Sequence, residues 1–235
     1  MGRRGPMIWR YVRMPKSGST SIAECLTAHG NPEPEGHWPA SKVRAEHPPC
    51  LVFGSIRGRF SWYKSWYNHV YRAGQGNERT VSVLRHYGQG DQGWPAVLYG
   101  LTHLDEVGLW MDPHTAAGGD HLFNPAGMLY FGSIGLHAKP CAGFYTQAVW
   151  WFFREHWRTT NGWPIAGPWC VDALIDLDQV DAGLSELSGQ IVHVERRNVA
   201  PPLELEDTPE LRGWVDVADS RVRTGEAVLW VGGDR

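Results

Sequence analysis

Cysteine is scarce in this chain. Cys25, Cys50, Cys141 and Cys170 are the only four in 235 residues, and they lie far apart. No Cys-x-x-Cys pair or Cys/His spacing is present, which argues against a zinc ribbon or a dithiol redox centre. Cys25 and Cys50 sit among apolar residues and read as buried thiols. No apolar run reaches the roughly 20 residues that a membrane-spanning helix needs. The N-terminus lacks the apolar core of a signal peptide. The expectation is a soluble, reduced, cytoplasmic protein that does not enter a membrane. A formal net charge of -3 gives no reason to expect nucleic-acid binding. Internal repeats and low-complexity segments are absent as well. What remains is ordinary globular composition, 42% hydrophobic and 20% charged. The length suits one α/β domain with a small helical addition and a sizeable core. Tryptophan is the exception to scarcity, at 13 residues. Such rings stack on adenine or sugar, but most serve as core. Trp38, Trp62 and Trp66 are the ones near the motifs described next.

The informative stretch is Arg13-Met14-Pro15-Lys16-Ser17-Gly18-Ser19-Thr20-Ser21-Ile22. Residues 7–12 before it form a short apolar run with the character of a buried strand. After it, Ile22, Cys25, Leu26 and His29 fall on one helical face, and Gly30 supplies a stop. Strand, tight loop, helix is the pattern. A helix N-terminus offers unpaired N–H groups and partial positive charge, so it can hold an anion. A lysine and four hydroxyls there make a phosphate or sulfate cradle. A serine-rich turn capping an ordinary helix is the plainer alternative. The run is not a Walker A motif, because its lysine precedes the glycine. Arg3, Arg4, Arg10, Arg13 and Lys16 meet no acid before Glu24, so the region is locally basic.

Residues 31–49 are polar and rich in proline and histidine, a loop or short helix. Cys50–Ile56 reads as a second buried strand ending at Arg57-Gly58-Arg59. A helix is expected from about Ser61, with Phe60, Tyr63, Tyr67, Val70 and Tyr71 on one stripe and Trp62 and Trp66 on the next. It is expected to end at Gly74–Asn77. The pattern weakens between Glu78 and Gly135. Phe144–Trp157 reads as an aromatic-rich helix, Val171–Ile175 as a third strand, Leu177–Leu187 as a short helix and Gln190–Val194 as a fourth strand. The tail from Pro209 begins as a helix.

Arg57 closes a strand, and Ser65 lies eight residues later, one turn into the expected helix. A guanidinium fork and a hydroxyl in that relation can grip one phosphate. Alone, this pair reads better as an exposed arginine and a helix-surface serine. Taken in order, the two loops resemble the signature of sulfotransferases that use 3′-phosphoadenosine 5′-phosphosulfate (PAPS). That family shows P-K-[ST]-G-[ST]-[ST] after the first strand, and an arginine followed eight residues later by a serine. The resemblance implies a P-loop-NTPase-like parallel sheet flanked by helices, in a single domain over residues 1–235. Residues 78–169 would be a helical or irregular insertion holding acceptor specificity. It assigns Lys16, Ser17, Gly18, Ser19, Thr20 and Ser21 to the 5′-phosphosulfate, and Arg57 and Ser65 to the 3′-phosphate. Arg57-Gly58-Arg59 departs from the R-[DN]-P often seen in the family. Gly36-His37-Trp38-Pro39-Ala40 is similar to a G-H-x-x-A segment of the carbohydrate-type branch, and Arg197-Asn198-Val199-Ala200 to a late N-[VI]-[SA] segment.

Sulfuryl transfer needs an in-line acceptor oxygen and relief of charge on the departing nucleotide oxygen, so positioning and electrostatics dominate. Lys16 suits the leaving side. His37 is the first choice as base for the acceptor hydroxyl, with Glu24 and then His47 behind it. Arg196 and Arg197 are either late nucleotide contacts or a solvated pair. The resemblance implies PAPS as co-substrate, no metal, and a hydroxyl acceptor of glycan or small-molecule type. Two other readings stand beside it. One is a non-catalytic nucleotide- or glycan-binding module. The other is a kinase, which needs a Walker lysine and a strand-end carboxylate that the sequence does not display.

Overall fold

Two parallel strands carry the two motif loops. The computed structural model describes residues 9–34, 36–68, 93–103, 109–111, 129–131, 143–158, 164–195 and 204–231. Strand β1 (Trp9–Val12) leads through the lysine loop into α1 (Ser19–Ala28). A second helix, α2 (Ala40–Glu46), precedes β2 (Leu51–Ile56) and α3 (Arg59–Tyr67). Then come α4 (Trp94–Thr102), β3 (Leu109–Met111), β4 (Leu129–Phe131) and α5 (Phe144–Phe153). The hairpin β5 (Arg154–Arg158) and β6 (Pro164–Trp169) follows, then β7 (Ala173–Asp176). A 3₁₀ turn (Leu177–Gln179) runs into α6 (Val180–Ser188). The chain closes with α7 (Pro209–Ala218) and β8 (Val228–Trp230).

The main sheet has the order β1-β2-β7-β8. β1 and β7 each pair with β2 in parallel, and β8 adds an antiparallel edge to β7. Side chains alternate across a strand, so each inner strand feeds both faces. Tyr11, Leu51, Phe53, Ala173 and Ile175 meet Ile22 and Leu26 of α1 and Val180 and Leu184 of α6 on one face. Val12, Val52, Ile56 and Leu174 meet α2, α3, α4, α5 and α7 on the other. The result is a mixed α/β fold with a mostly parallel central sheet between helical layers. β2 is buried along its whole length, which is why it reads as a continuous apolar run. Gly54 in its middle admits the Phe153 ring; a Cβ there would lie 2.2 Å from Phe153 Cε1.

Several sequence expectations are corrected. The aromatic helix stops at Phe153, not Trp157, because Arg154–Arg158 pairs with β6 in a hairpin. Gln190–Val194 is not a strand. Its backbone donors are taken by α6 side chains: Ser185 Oγ accepts from Val192 N at 2.9 Å, and Asp181 Oδ1 from Val194 N at 3.0 Å. The place beside β7 goes instead to β8. Cys25 and Cys50 are half-buried, and only Cys170 among the described cysteines is buried. The expected helix end at Gly74–Asn77, with Val70 and Tyr71, lies outside the described residues. Among the described residues, no helix is long and apolar enough to cross a membrane.

Candidate functional site

The lysine loop is built from beneath by buried hydroxyls. Ser55 Oγ donates to the Ser17 carbonyl at 2.8 Å, and Ser17 Oγ donates to the Met14 carbonyl at 2.7 Å. With those protons placed, Tyr11 O–H donates to Ser55 Oγ at 2.5 Å. Trp62 of α3 adds an indole N–H on the Pro15 carbonyl at 2.9 Å. β2 and α3 therefore hold the loop at two carbonyls, those of Ser17 and Pro15, while Ser17 Oγ braces it from within and Tyr11 of β1 supports Ser55. Of these partners the sequence marks Ser17 and Trp62, but not Tyr11 or Ser55. The available signal was Ser55, a hydroxyl inside an otherwise apolar strand.

Held this way, Lys16 adopts φ 65°, the left-handed region that non-glycine residues seldom occupy. Gly18 follows at φ 74° and caps α1. A Cβ at Gly18 would lie 2.3 Å from Leu177 Cδ1, so the turn from β7 into α6 closes against this glycine. The first bond of α1 runs from Ile22 N to the Gly18 carbonyl. The N–H groups of Ser19, Thr20 and Ser21 precede that bond and belong to the positive end of the helix. Ser19 and Thr20 are half-buried, and Ser21 is buried. Ser17 departs from the expected role in part. Its hydroxyl is committed inside the fold, so its backbone N–H is what it can offer a ligand.

Arg57 leaves the end of β2, the neighbour of β1, so both loops emerge at the carboxyl edge of the sheet. The Arg57 carbonyl accepts from Tyr145 O–H at 2.7 Å, which fixes the turn. Lys16 and Arg57 sense each other. Burial, and then the Arg57 charge, push the Lys16 pKa down to about 8. Two cations that feel each other in a half-buried setting repel, and an anion between them would offset that repulsion. Ser65 lies in the second turn of α3, not the first, because the helix starts at Arg59. That sets it about 9 Å along the axis from Arg59.

His37 returns to the same edge. Its Nδ1 lies 2.7 Å from the Arg13 carbonyl. A carbonyl only accepts, so Nδ1 carries the proton and the neutral ring has its lone pair at Nε2. Burial lowers the His37 pKa most. The Arg13 hydrogen bond opposes this, while the charges of Arg13 and Lys16 add to it. His37 is thus a neutral imidazole at neutral pH. Glu24 is exposed on α1, and His47 caps the end of α2. Trp62 and Trp66 are buried core residues, and Trp38 packs on the core with Lys42 Nζ 3.7 Å above its ring. Arg196, Arg197 and Asn198 lie outside the described residues.

The structure does supply a strand-end carboxylate, Asp176 on β7. One of its oxygens accepts from Asp178 N at 3.0 Å and the other from Gly225 N. Both are engaged in shaping the turn that packs on Gly18. No family model, curated protein or solved structure matches this chain.

Proposed function

We propose that the protein is a sulfotransferase that moves a sulfuryl group from PAPS to a hydroxyl acceptor, of which a carbohydrate is the favoured class. The observation carrying this reading is the pairing of two anion-suited loops on adjacent parallel strands, with Lys16 close enough to Arg57 to feel its charge. The donor set fits the co-substrate: cations, helix N–H groups and hydroxyls. The finer fold reading, a P-loop-like sulfotransferase sheet, rests on the same loops.

PAPS would supply an activated sulfuryl group and a nucleotide leaving group. Lys16 offsets charge on the departing oxygen. Ser17, Gly18, Ser19, Thr20 and Ser21 orient the 5′ side through backbone N–H groups, with hydroxyls from the last three serine and threonine positions. Arg57 and Ser65 hold the 3′-phosphate. His37 takes the acceptor proton at Nε2. A kinase reading gains nothing from Asp176, whose oxygens already serve backbone N–H groups.

The test is a thermal shift with adenosine 3′,5′-bisphosphate, ATP and oligosaccharides, followed by an acceptor screen with sulfur-labelled PAPS. At a hundredfold excess over Kd, the bisphosphate should stabilise the fold by about 2.7 kcal/mol. Equal or greater stabilisation by ATP would remove the sulfotransferase reading. Stabilisation by glycan alone, without transfer, would favour the binding module.

A further inference from the structure

The two motif loops are each gripped by a buried aromatic side chain, and the two rings touch. Trp62 of α3 donates its indole N–H to the Pro15 carbonyl at 2.9 Å, beside Lys16. Tyr145 of α5 donates its hydroxyl to the Arg57 carbonyl at 2.7 Å. The ring centroids lie 5.3 Å apart in an edge-to-face contact, and both side chains are fully buried. The registered ladder between β1 and β2 ends at Val12 and Gly54, so Lys16 and Arg57 both stand beyond it. In a trans peptide the carbonyl and the following N–H point in opposite directions. Gripping the Pro15 carbonyl therefore turns the Lys16 N–H away from the indole. Gripping the Arg57 carbonyl likewise turns the Gly58 N–H away from the Tyr145 hydroxyl. Tyr145 has support of its own. Its backbone N–H donates to Tyr63 O at 3.0 Å, and Tyr63 O–H donates to the buried Asp219 at 2.8 Å. Burial, and then the Asp219 charge, hold the Tyr145 hydroxyl pKa up, so it stays a donor at working pH.

We propose that Trp62 and Tyr145 form a bracket that sets the spacing of the lysine and arginine loops, and so selects ligands carrying two anionic groups at that spacing. Both are positioning residues: they are buried and act through the carbonyls they hold. Tyrosine and tryptophan are stiff, with two side-chain torsions each, and an edge-to-face pair in a packed interior has little room to yield. A displacement of one loop is then passed to the other. Identifying the two anionic groups as the ends of a nucleotide bisphosphate rests on the sulfotransferase reading; the bracket itself does not.

The test is calorimetry on the full chain with adenosine 3′,5′-bisphosphate and with AMP, which lacks the 3′-phosphate. The ratio of the two affinities reads the spacing, and a residue that only stabilises the fold would leave it unchanged. Tyr145→Phe keeps the ring and removes the hydrogen bond to Arg57. It should lower the ratio by about fivefold, the scale of one hydrogen bond, with AMP affinity held within about twofold. Trp62→Phe should lower the ratio as well, together with AMP affinity, and covers the case that Tyr145→Phe misfolds. A ratio unchanged in each variant that folds, or an equal loss for both nucleotides in Tyr145→Phe, overturns the bracket. A second measurement needs no nucleotide: NMR titration of the Lys16 ammonium in protein with ¹³C-labelled lysine. The Arg57 charge helps to push Lys16 down, so Arg57→Gln should raise its midpoint and Tyr145→Phe should raise it part of the way. If the wild type binds neither nucleotide, the sulfotransferase reading fails and this titration decides the bracket. A midpoint raised in Tyr145→Phe then sustains it, and one left in place overturns it.

Discussion

Lys16 sits at φ 65° and is flanked by cationic charge. Lys16→Ala keeps the Cβ, and hence the same backbone strain, while removing the ammonium. Transfer should fall by roughly 10²–10³-fold, the scale of losing one charge-stabilising donor. Stability should not fall at neutral pH. The folded pKa lies below the ordinary 10.5, so the unfolded chain binds this proton more tightly. Wild-type stability should therefore rise with pH between about 8 and 10.5, and the variant should lack that rise. Urea melts across that range check both points. Activity should move the other way, kcat/KM declining as the free protein passes pH 8. His37 governs the acid side. Its pKa is lowered, so the acid limb of the rate profile should lie below the usual ~6.5. His37→Ala should lower turnover by roughly 10²–10⁴-fold and erase that limb. Nucleotide binding should survive, as calorimetry can show. A variant with normal turnover would move the role to Glu24 or His47.

At the scale of elements, two buried polar networks fix the site. The first joins β1, β2 and the lysine loop through Tyr11, Ser55 and Ser17. Ser55→Ala removes the donor to the Ser17 carbonyl and leaves the Tyr11 hydroxyl without its acceptor. A loss of about 1–3 kcal/mol is expected from denaturant melts, with weaker nucleotide affinity because the loop is looser. Unchanged affinity would show that the loop holds its shape without Ser55. The second network joins α3, α5 and α7. Asp219, buried at the end of α7, accepts from Tyr63 O–H and Thr146 N, both at 2.8 Å, and Tyr63 O in turn accepts from Tyr145 N at 3.0 Å. Burial pushes the Asp219 pKa up to about 6, against the hydrogen bonds and the Arg59 charge that favour the carboxylate. Between pH 4 and 6 the folded state therefore holds a proton that the unfolded state has lost. Stability should decline as pH rises through that window. Asp219→Asn should remove that slope, and Asp219→Ala should cost about 2–5 kcal/mol by stranding two donors.

Across the whole molecule, the sheet is the divider and both helical layers must reach it. Gly54 marks the tightest approach. Gly54→Ala should destabilise by about 1–3 kcal/mol, because the Phe153 ring is fully buried and has little room to yield. Adding Phe153→Leu should recover part of that loss. A double variant whose melts simply add the two effects would deny the contact. The layers also explain which tryptophans were readable. Trp62 and Trp66 share the buried side of α3 with Phe60 and Tyr63, as the helical stripes predict.

The sequence alone determined the strand-loop-helix at residues 9–28, the strand ending at Arg57 and the helix starting at Pro209. Each is set by signals within a few residues: apolar runs, a glycine stop, or a Thr208 cap followed by proline. It also marked Lys16 and Arg57, and the parallel pairing of β1 with β2 places their loops at one edge. Only the tertiary structure decided what surrounds them. The Ser55–Ser17 tie spans 38 residues and the Asp219–Tyr63 tie spans 156, and no local pattern encodes such a meeting. For the same reason Arg154–Arg158 became a strand and Gln190–Val194 did not. Whether a short segment joins a sheet depends on which partner's N–H and C=O groups reach it, and that is settled only when the layers pack.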